Sequence, residues 1–387
     1  MIRSDKLMEE IQTWTTEDYI PLGRSGHRIS CSDSFLYCVG GYHPAYGTLR
    51  EAWRLNLSTG EWEQLSDSSA TPPTSISHCM VSVGHDLLTF GGTGFPFGSV
   101  MSSDIHACNK TTGEWRTISA EGEAPPHLYG QACRRLGDYV YTVGGTSGYH
   151  FSLQVHVFHL PTSTWRCLAS SQMFKQENEP SGRYKAEIGV IPNQIVVVGG
   201  SSASTVFPLD EVPVFDNLTG EWSLKATKQD PRLHAYPSPR KCHAAVQRGT
   251  DLYIIGGADG NEVFDDIWKL NLITLAWSRL DLVTPVPLYF HDAAVTPNGC
   301  LYIYGGSTSL GSGERSSRVF RTRLQAPPLL EAAWDTFTIN CPAITIPMPD
   351  YLTVNQGGPT HSDFLEAGVP RGLVERLNRL AKNKRYR

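Results

Sequence analysis

Six glycine doublets divide this chain into units of nearly equal length: Gly40-Gly41, Gly91-Gly92, Gly144-Gly145, Gly199-Gly200, Gly256-Gly257 and Gly305-Gly306, spaced 51, 53, 55, 57 and 49 residues apart. A period near 50 residues marks an array of like modules, each too small to bury its apolar face alone. Ahead of each doublet stands a short run of β-formers: LYCV from 36, LLTF from 87, VYTV from 140, IVVV from 195, LYII from 252 and LYIY from 301. Such runs have the composition of strands covered on both faces. The doublets suit sites where the backbone bends sharply and a neighbouring module comes close, because a β-carbon there would collide.

Some twenty residues after five of the doublets comes a tryptophan, Trp62, Trp115, Trp165, Trp222 and Trp277, three of them introduced by Thr-Gly-Glu. That turn joins the third and fourth strands of a module, and the tryptophan is expected to pack between modules. Period and strands together predict an all-β fold, a six-bladed kelch-type β-propeller. The sixth unit has its doublet and one further strand, RVFRTRL at 318–324, but no tryptophan strand. Trp14 lies 13 residues before His27, much as Trp277 lies 14 before His291, so residues near 10–16 are expected to supply the fourth strand of blade six. Pairing first and last repeats closes the ring and leaves no open edge. The propeller is expected over residues 1–325, followed by a short C-terminal α-helical appendix over 326–387.

With 36 Gly, 25 Pro, 9 Trp and 16 Tyr in 387 residues, there is room for one large all-β domain plus that appendix. A net charge of -5 provides no basic field for nucleic acid or an anionic membrane. No apolar segment reaches 18 residues and the N-terminal MIRSDKLMEEIQ is charged throughout, which argues against a membrane span or a signal peptide and for a cytoplasmic or nuclear location. Nine cysteines without a Cys-x-x-Cys read as free thiols. Asn56, Asn109 and Asn217 fall in N-x-S/T triplets, but each lies where the third strand enters its turn, so they read as turn chemistry.

Catalytic signals are missing from the sequence. His156 and His159, the nearest histidine pair, are three apart, which puts them on opposite faces of a strand. No nucleophile elbow, metalloprotease helix, phosphate loop or dinucleotide fingerprint occurs. No metal and no cofactor is expected, and the chain is expected to bind rather than catalyse.

Thirteen residues before each doublet lies the start of the innermost strand: His27, His78, Gln131, Ala186, His243 and Asp292. Three positions earlier stand Arg24, Ser75, Leu128, Arg183, Arg240 and Tyr289, which symmetry places in a ring at one mouth of the central channel. Three arginines in that ring suggest a carboxylate site, since the guanidinium fork donates two parallel hydrogen bonds to such a group. Lys185 and Lys241 lie beside them. The alternative is that the arginines pair with Asp or Glu of neighbouring blades and hold the loops. Aromatic side chains of the loops after the doublets (Tyr42, Tyr46, Phe95, Phe97, Tyr149, Phe151), with Tyr129 and Phe290, are expected at the same mouth. Aromatics around a charged centre are what a peptide hot spot needs.

Beyond residue 325 the pattern changes. Leu329, Ala333 and Phe337 recur every four residues with Leu330 and Trp334 alongside, and Leu373, Val374, Leu377 and Leu380 form a second stripe, so two amphipathic helices are expected with a partner protein as their destination.

Arg-Ser-Gly-His at 24–27, FGGTGFPFG at 90–98, LYGQA at 128–132, DIWKLNL at 266–272, AAVTPNGCLYIYGG at 293–306 and GLVERL at 372–377 together resemble the kelch domain-containing protein 10 family. The resemblance runs from about residue 20 to 380 and includes irregular insertions as well as the glycine signature. It implies a substrate receptor of a cullin-2 RING ubiquitin ligase, bound through elongins B and C, with related receptors capturing glycine-ended C-terminal degrons. Residues 328–337 are similar to an elongin-binding box, with Leu329, Leu330, Ala333, Trp334 and Phe337 as its contacts and Ala333 standing where cysteine is usual. Residues 341–380, with Ile346, Pro347, Leu373 and Leu377, resemble a cullin box. A degron ends in one carboxylate, which Arg24, Arg183 and Arg240 would hold, while Tyr42, Phe95, Tyr129, Tyr149, Lys241, Tyr289 and Phe290 would wall the pocket. Two other readings stay open: a scaffold that regulates a kinase or phosphatase without ubiquitin transfer, and a propeller enzyme.

Overall fold

The computed structural model describes residues 5–16, 20–170 and 180–324. Six blades, each built on antiparallel strands, surround a central channel; in blades one to five the four blade strands follow one another in sequence order from the inside out. In blade one the strands are Arg28–Cys31, Phe35–Val39, Ala52–Asn56 and Glu61–Ser66. The innermost strands of the other blades are Cys79–Val83, Ala132–Leu136, Glu187–Ile191, Ala244–Arg248 and Asp292–Val295. The second strands carry the apolar runs and are buried because each is flanked by strands in its own sheet and by blades on both faces; every residue of Phe35–Val39 and Cys300–Tyr304 is buried. The tryptophans fill the gaps between blades. Trp62 packs on Tyr304 of blade six at 5.2 Å and Trp165 on Phe90 of blade two at 5.4 Å, while the Trp277 indole N–H donates to the Leu209 carbonyl of blade four at 3.0 Å. Asn56 and Asn109 cap their turns by accepting backbone N–H groups two and three residues on; in blade four Asp216 does this in place of Asn217.

The N-terminal segment closes the ring, at a different register from the expected one. Glu9–Ile11 forms the fourth strand of blade six, antiparallel to Val319–Arg323. Trp14 is not in that strand: Trp14–Thr15 pairs in parallel with the outer strand of blade one, and Lys6–Leu7 does the same on blade five. Residues 6–15 therefore bind the rims of three consecutive blades. Met8 inserts between blades five and six, only 4% exposed, and Asp5–Arg279, Glu9–Arg321 and Glu10–Arg318 ion pairs flank it.

Each second doublet glycine donates its N–H to the next blade: Gly41 to Ser75, Gly92 to Leu128, Gly145 to Arg183, Gly200 to Arg240, Gly257 to Leu288 and Gly306 to Arg24, at 2.7–3.0 Å. The need for glycine is direct at Gly256, where φ is +55° and a Cβ would stand 2.5 Å from the Leu288 carbonyl. This set also corrects the register of blade six. Leu288, and not Tyr289, is the counterpart of Arg24, and His291 rather than Asp292 that of His27. The cause is one extra residue in the first hairpin of blade six: Asp292 pairs with Tyr304, twelve residues on, where Arg28 pairs with Val39, eleven on.

Candidate functional site

Two of the three ring arginines are spent inside the protein. The Arg24 guanidinium is fully buried, 2.5 Å from Glu51 and 3.1 Å from the Gly40 carbonyl. Arg240 repeats the arrangement with Asp266 at 2.6 Å and the Gly256 carbonyl at 3.0 Å. Both carboxylates come from the same blade, so these pairs tie its two upper loops together, which is the loop-holding alternative with an intrablade partner. An incoming carboxylate would have to displace Glu51 or Asp266.

Arg183 differs. It donates to the Ser181 and Gly199 carbonyls and lies 3.8 Å from the Phe207 ring centroid, but pairs with no carboxylate among the described residues. It is 5% exposed, and burial lowers its pKa to about 10 against an opposing pull from Glu211.

Two positions further along, the six loops meet in a second ring. Gly26, Ser77, Gly130, Lys185, Cys242 and Phe290 all have left-handed φ, between 52° and 67°. Each donates its N–H to the carbonyl of the preceding member: Gly26 to Phe290, Ser77 to Gly26, Gly130 to Ser77, Lys185 to Gly130, Cys242 to Lys185 and Phe290 to Cys242, at 2.7–3.2 Å. This closed hydrogen-bonded ring narrows the channel mouth. Four members are not glycine, at about 1–2 kcal/mol each for that conformation, which the six shared bonds offset.

Lys185 is the ring's charged member. Its ammonium lies 5.4 Å from the Phe290 ring centroid and forms no ion pair among the described residues. Burial, and then the Arg28 guanidinium, lower its pKa to about 8. Beneath it Arg28 reaches across the channel to Glu187 of blade four at 3.2 Å and to Asp292 of blade six at 3.3 Å. Arg134 donates to the Ile188 carbonyl at 2.6 Å and feels the same two carboxylates. Three cations, Lys185, Arg28 and Arg134, thus face two carboxylates, Glu187 and Asp292. Among the described residues the upper channel therefore carries one more cation than carboxylate, in a partly desolvated setting.

The other expected wall residues divide by location. Tyr289 and Phe290 pack at 5.3 Å with their planes tilted by 51°, and Tyr129 meets Tyr184 edge-on at 6.0 Å, which brings both pairs to the rim near Lys185. Lys241 is half-buried beside the ring, its backbone bridged to Ala258. Tyr42 and Phe95 form a separate cluster over blades one and two. Tyr149 is 98% exposed and touches none of these rings. Lys185 and Tyr184 were legible as repeat positions: Arg-Tyr-Lys-Ala at 183–186 aligns with Arg-Ser-Gly-His at 24–27, and a lysine where the repeat has glycine is the signal. The partners of Lys185 were not. Leu329, Leu330, Ala333, Trp334, Phe337, Ile346, Pro347, Leu373 and Leu377 lie outside the described residues.

Among the described residues no helix is long and apolar enough to cross a membrane, and no three His, Cys, Asp or Glu side chains are grouped to hold a metal. The family model described as the KLHDC2/KLHL20/DRC7 kelch-repeats domain matches residues 4–200 and 169–325. Kelch domain-containing protein 10 of Homo sapiens is 35% identical over 368 residues, covering 92% of this chain and 80% of that protein. The Drosophila melanogaster homologue of that protein is 31% identical over 391 residues, covering 92% and 62%. Acyl-CoA-binding domain-containing protein 5 of Arabidopsis thaliana is 28% identical over 71% of this chain. A six-bladed propeller with these matches across nearly its whole length belongs to the kelch-repeat family of Kelch domain-containing protein 10.

Proposed function

We propose that this protein is the substrate-recognition subunit of a cullin-2 RING ubiquitin ligase, which takes the C-terminal carboxylate of a degron, glycine-ended in related receptors, at the channel mouth. The observation that carries the binding half is the half-buried positive charge of Lys185, set above the Arg28–Glu187–Asp292 group with no ion-pair partner of its own among the described residues. A peptide C-terminus brings one negative charge on a slender group. A terminal glycine suits a mouth narrowed by a ring of six backbone hydrogen bonds, because it adds no side chain to clash. Arg183 adds a second cation with no carboxylate ion pair among the described residues, and Tyr129, Tyr184, Tyr289 and Phe290 supply the rim. The ligase half rests on sequence resemblance: residues 328–337 for elongins B and C, and 341–380 for the cullin. Such a receptor carries no chemistry of its own and would work in the cytoplasm or nucleus.

The test measures binding of glycine-ended peptides, free or amidated, to the full chain. Amidation and Lys185→Met should each weaken binding at least tenfold, Arg183→Ala should weaken it less, and Arg24 or Arg240 substitutions should act through stability. Binding indifferent to amidation would overturn the carboxylate site. Co-purification with elongins B and C, lost in Leu329→Ala/Phe337→Ala, tests the ligase half; retention of function without that association would favour a scaffold.

A further inference from the structure

A second feature of the same face plays no part in holding a carboxylate. Tyr42 of blade one and Phe95 and Phe97 of blade two form a triangle of rings, with centroids 5.2, 5.1 and 5.4 Å apart. Phe95 and Phe97 are 50% and 52% exposed. Their loop is nevertheless fixed. The Phe95 N–H donates to Thr48 Oγ1 of blade one at 2.9 Å, the Gly98 N–H to Thr93 Oγ1 at 2.8 Å, the Gly94 N–H to the Val100 carbonyl at 2.9 Å and the Ser99 N–H to the Pro96 carbonyl at 3.0 Å. Three rings held in place with their outer faces in water form an apolar surface whose ordering cost is already met.

This triangle is joined to the channel mouth. Tyr42 is bridged to Ser25, whose neighbour Gly26 is hydrogen-bonded to Phe290, the residue under the Lys185 ammonium. Arg315 stands along the same line, bonded to Ser25 Oγ at 2.8 Å and 5.9 Å from the Tyr42 ring centroid. The strip is cationic at the channel and aromatic at its far end. Its complement is one chain that ends in a carboxylate and carries an apolar side chain further back.

We propose that Tyr42, Phe95 and Phe97 are a subsite for an aromatic or large aliphatic side chain lying a few residues before the terminal carboxylate. The ligand class is then C-terminal peptides with an apolar anchor upstream of a small terminal residue. This rests on the carboxylate reading of the channel.

The experiment compares peptides of one length and one free C-terminus, either all alanine upstream or with a single phenylalanine walked through each upstream position. One position should gain at least about tenfold in affinity, the lower bound for burying a phenylalanine side chain. The Phe95→Ser/Phe97→Ser variant should lose that gain and keep its affinity for the alanine peptide, while Phe95→Leu/Phe97→Leu should retain part of it. A gain that survives the serine variant, or no gain at any position, overturns the subsite while carboxylate-dependent binding of the alanine peptide leaves the channel reading intact. No binding of any free-carboxylate peptide overturns both.

Discussion

Arg24, Arg183 and Arg240 occupy the same position in the repeat and donate to the same doublet carbonyl, yet among the described residues only Arg24 and Arg240 form an ion pair with a carboxylate. Removing one member of a buried pair strands the other, at about 3–5 kcal/mol. Arg240→Ala should therefore lower the thermal midpoint sharply and Arg183→Ala far less; equal losses in a melting experiment would contradict the assignment. Lys185 makes a pH prediction. With its pKa near 8 in the free protein, the ammonium is present below that pH and lost above it. Carboxylate binding should therefore weaken as pH rises from 7 to 9, and titrations across that range should flatten in Lys185→Met.

At the scale of elements, the N-terminal strap decides whether the propeller is a ring or an open array. Glu9–Ile11 completes blade six, and Met8 seals the seam between blades five and six. Met8→Ala should cost about 2–5 kcal/mol as a core truncation, measurable by denaturant midpoint. The surface ion pairs Glu9–Arg321 and Glu10–Arg318 should contribute well under that, about 0–1 kcal/mol each, because both partners face water. If Glu9→Gln cost as much as Met8→Ala, the seam would be held by charge and not by packing.

The whole molecule repeats one device at its blade junctions. His27, His78, His243 and His291 immediately precede the innermost strands of four blades, and His27 Nε2 lies 3.0 Å from the Tyr304 carbonyl of the preceding blade. Burial, reinforced by neighbouring arginines at His78 and His243, lowers the pKa of His78, His243 and His291 to about 3 and that of His27 well below its usual value. The unfolded chain binds these protons near pH 6.5, so folding stability is complete above that pH and falls as pH drops towards 3. Each histidine contributes a slope of up to about 1.4 kcal/mol per pH unit. Chemical denaturation at pH 7 and pH 5 should show a loss of several kcal/mol, reduced in His243→Gln; a flat profile would mean the histidines are solvated.

The number of blades, their strands and the inter-blade tryptophans were legible in the sequence because each depends on a local requirement: no side chain at a doublet, apolar residues on a buried strand, Asn or Asp at a turn. Register carried the reading as far as the ring of loops and failed in blade six, where one extra hairpin residue moved Leu288 and His291 into place. Which of the cations are paired with a carboxylate was legible only in the tertiary structure. Lys185 owes its unbalanced charge to Arg28, Glu187, Asp292 and Arg134, which lie on four different blades, and Arg24 and Arg240 lose theirs to carboxylates 27 and 26 residues away. A repeat pattern records where a side chain starts. Whether its charge is neutralised depends on groups that only closure of the ring brings together.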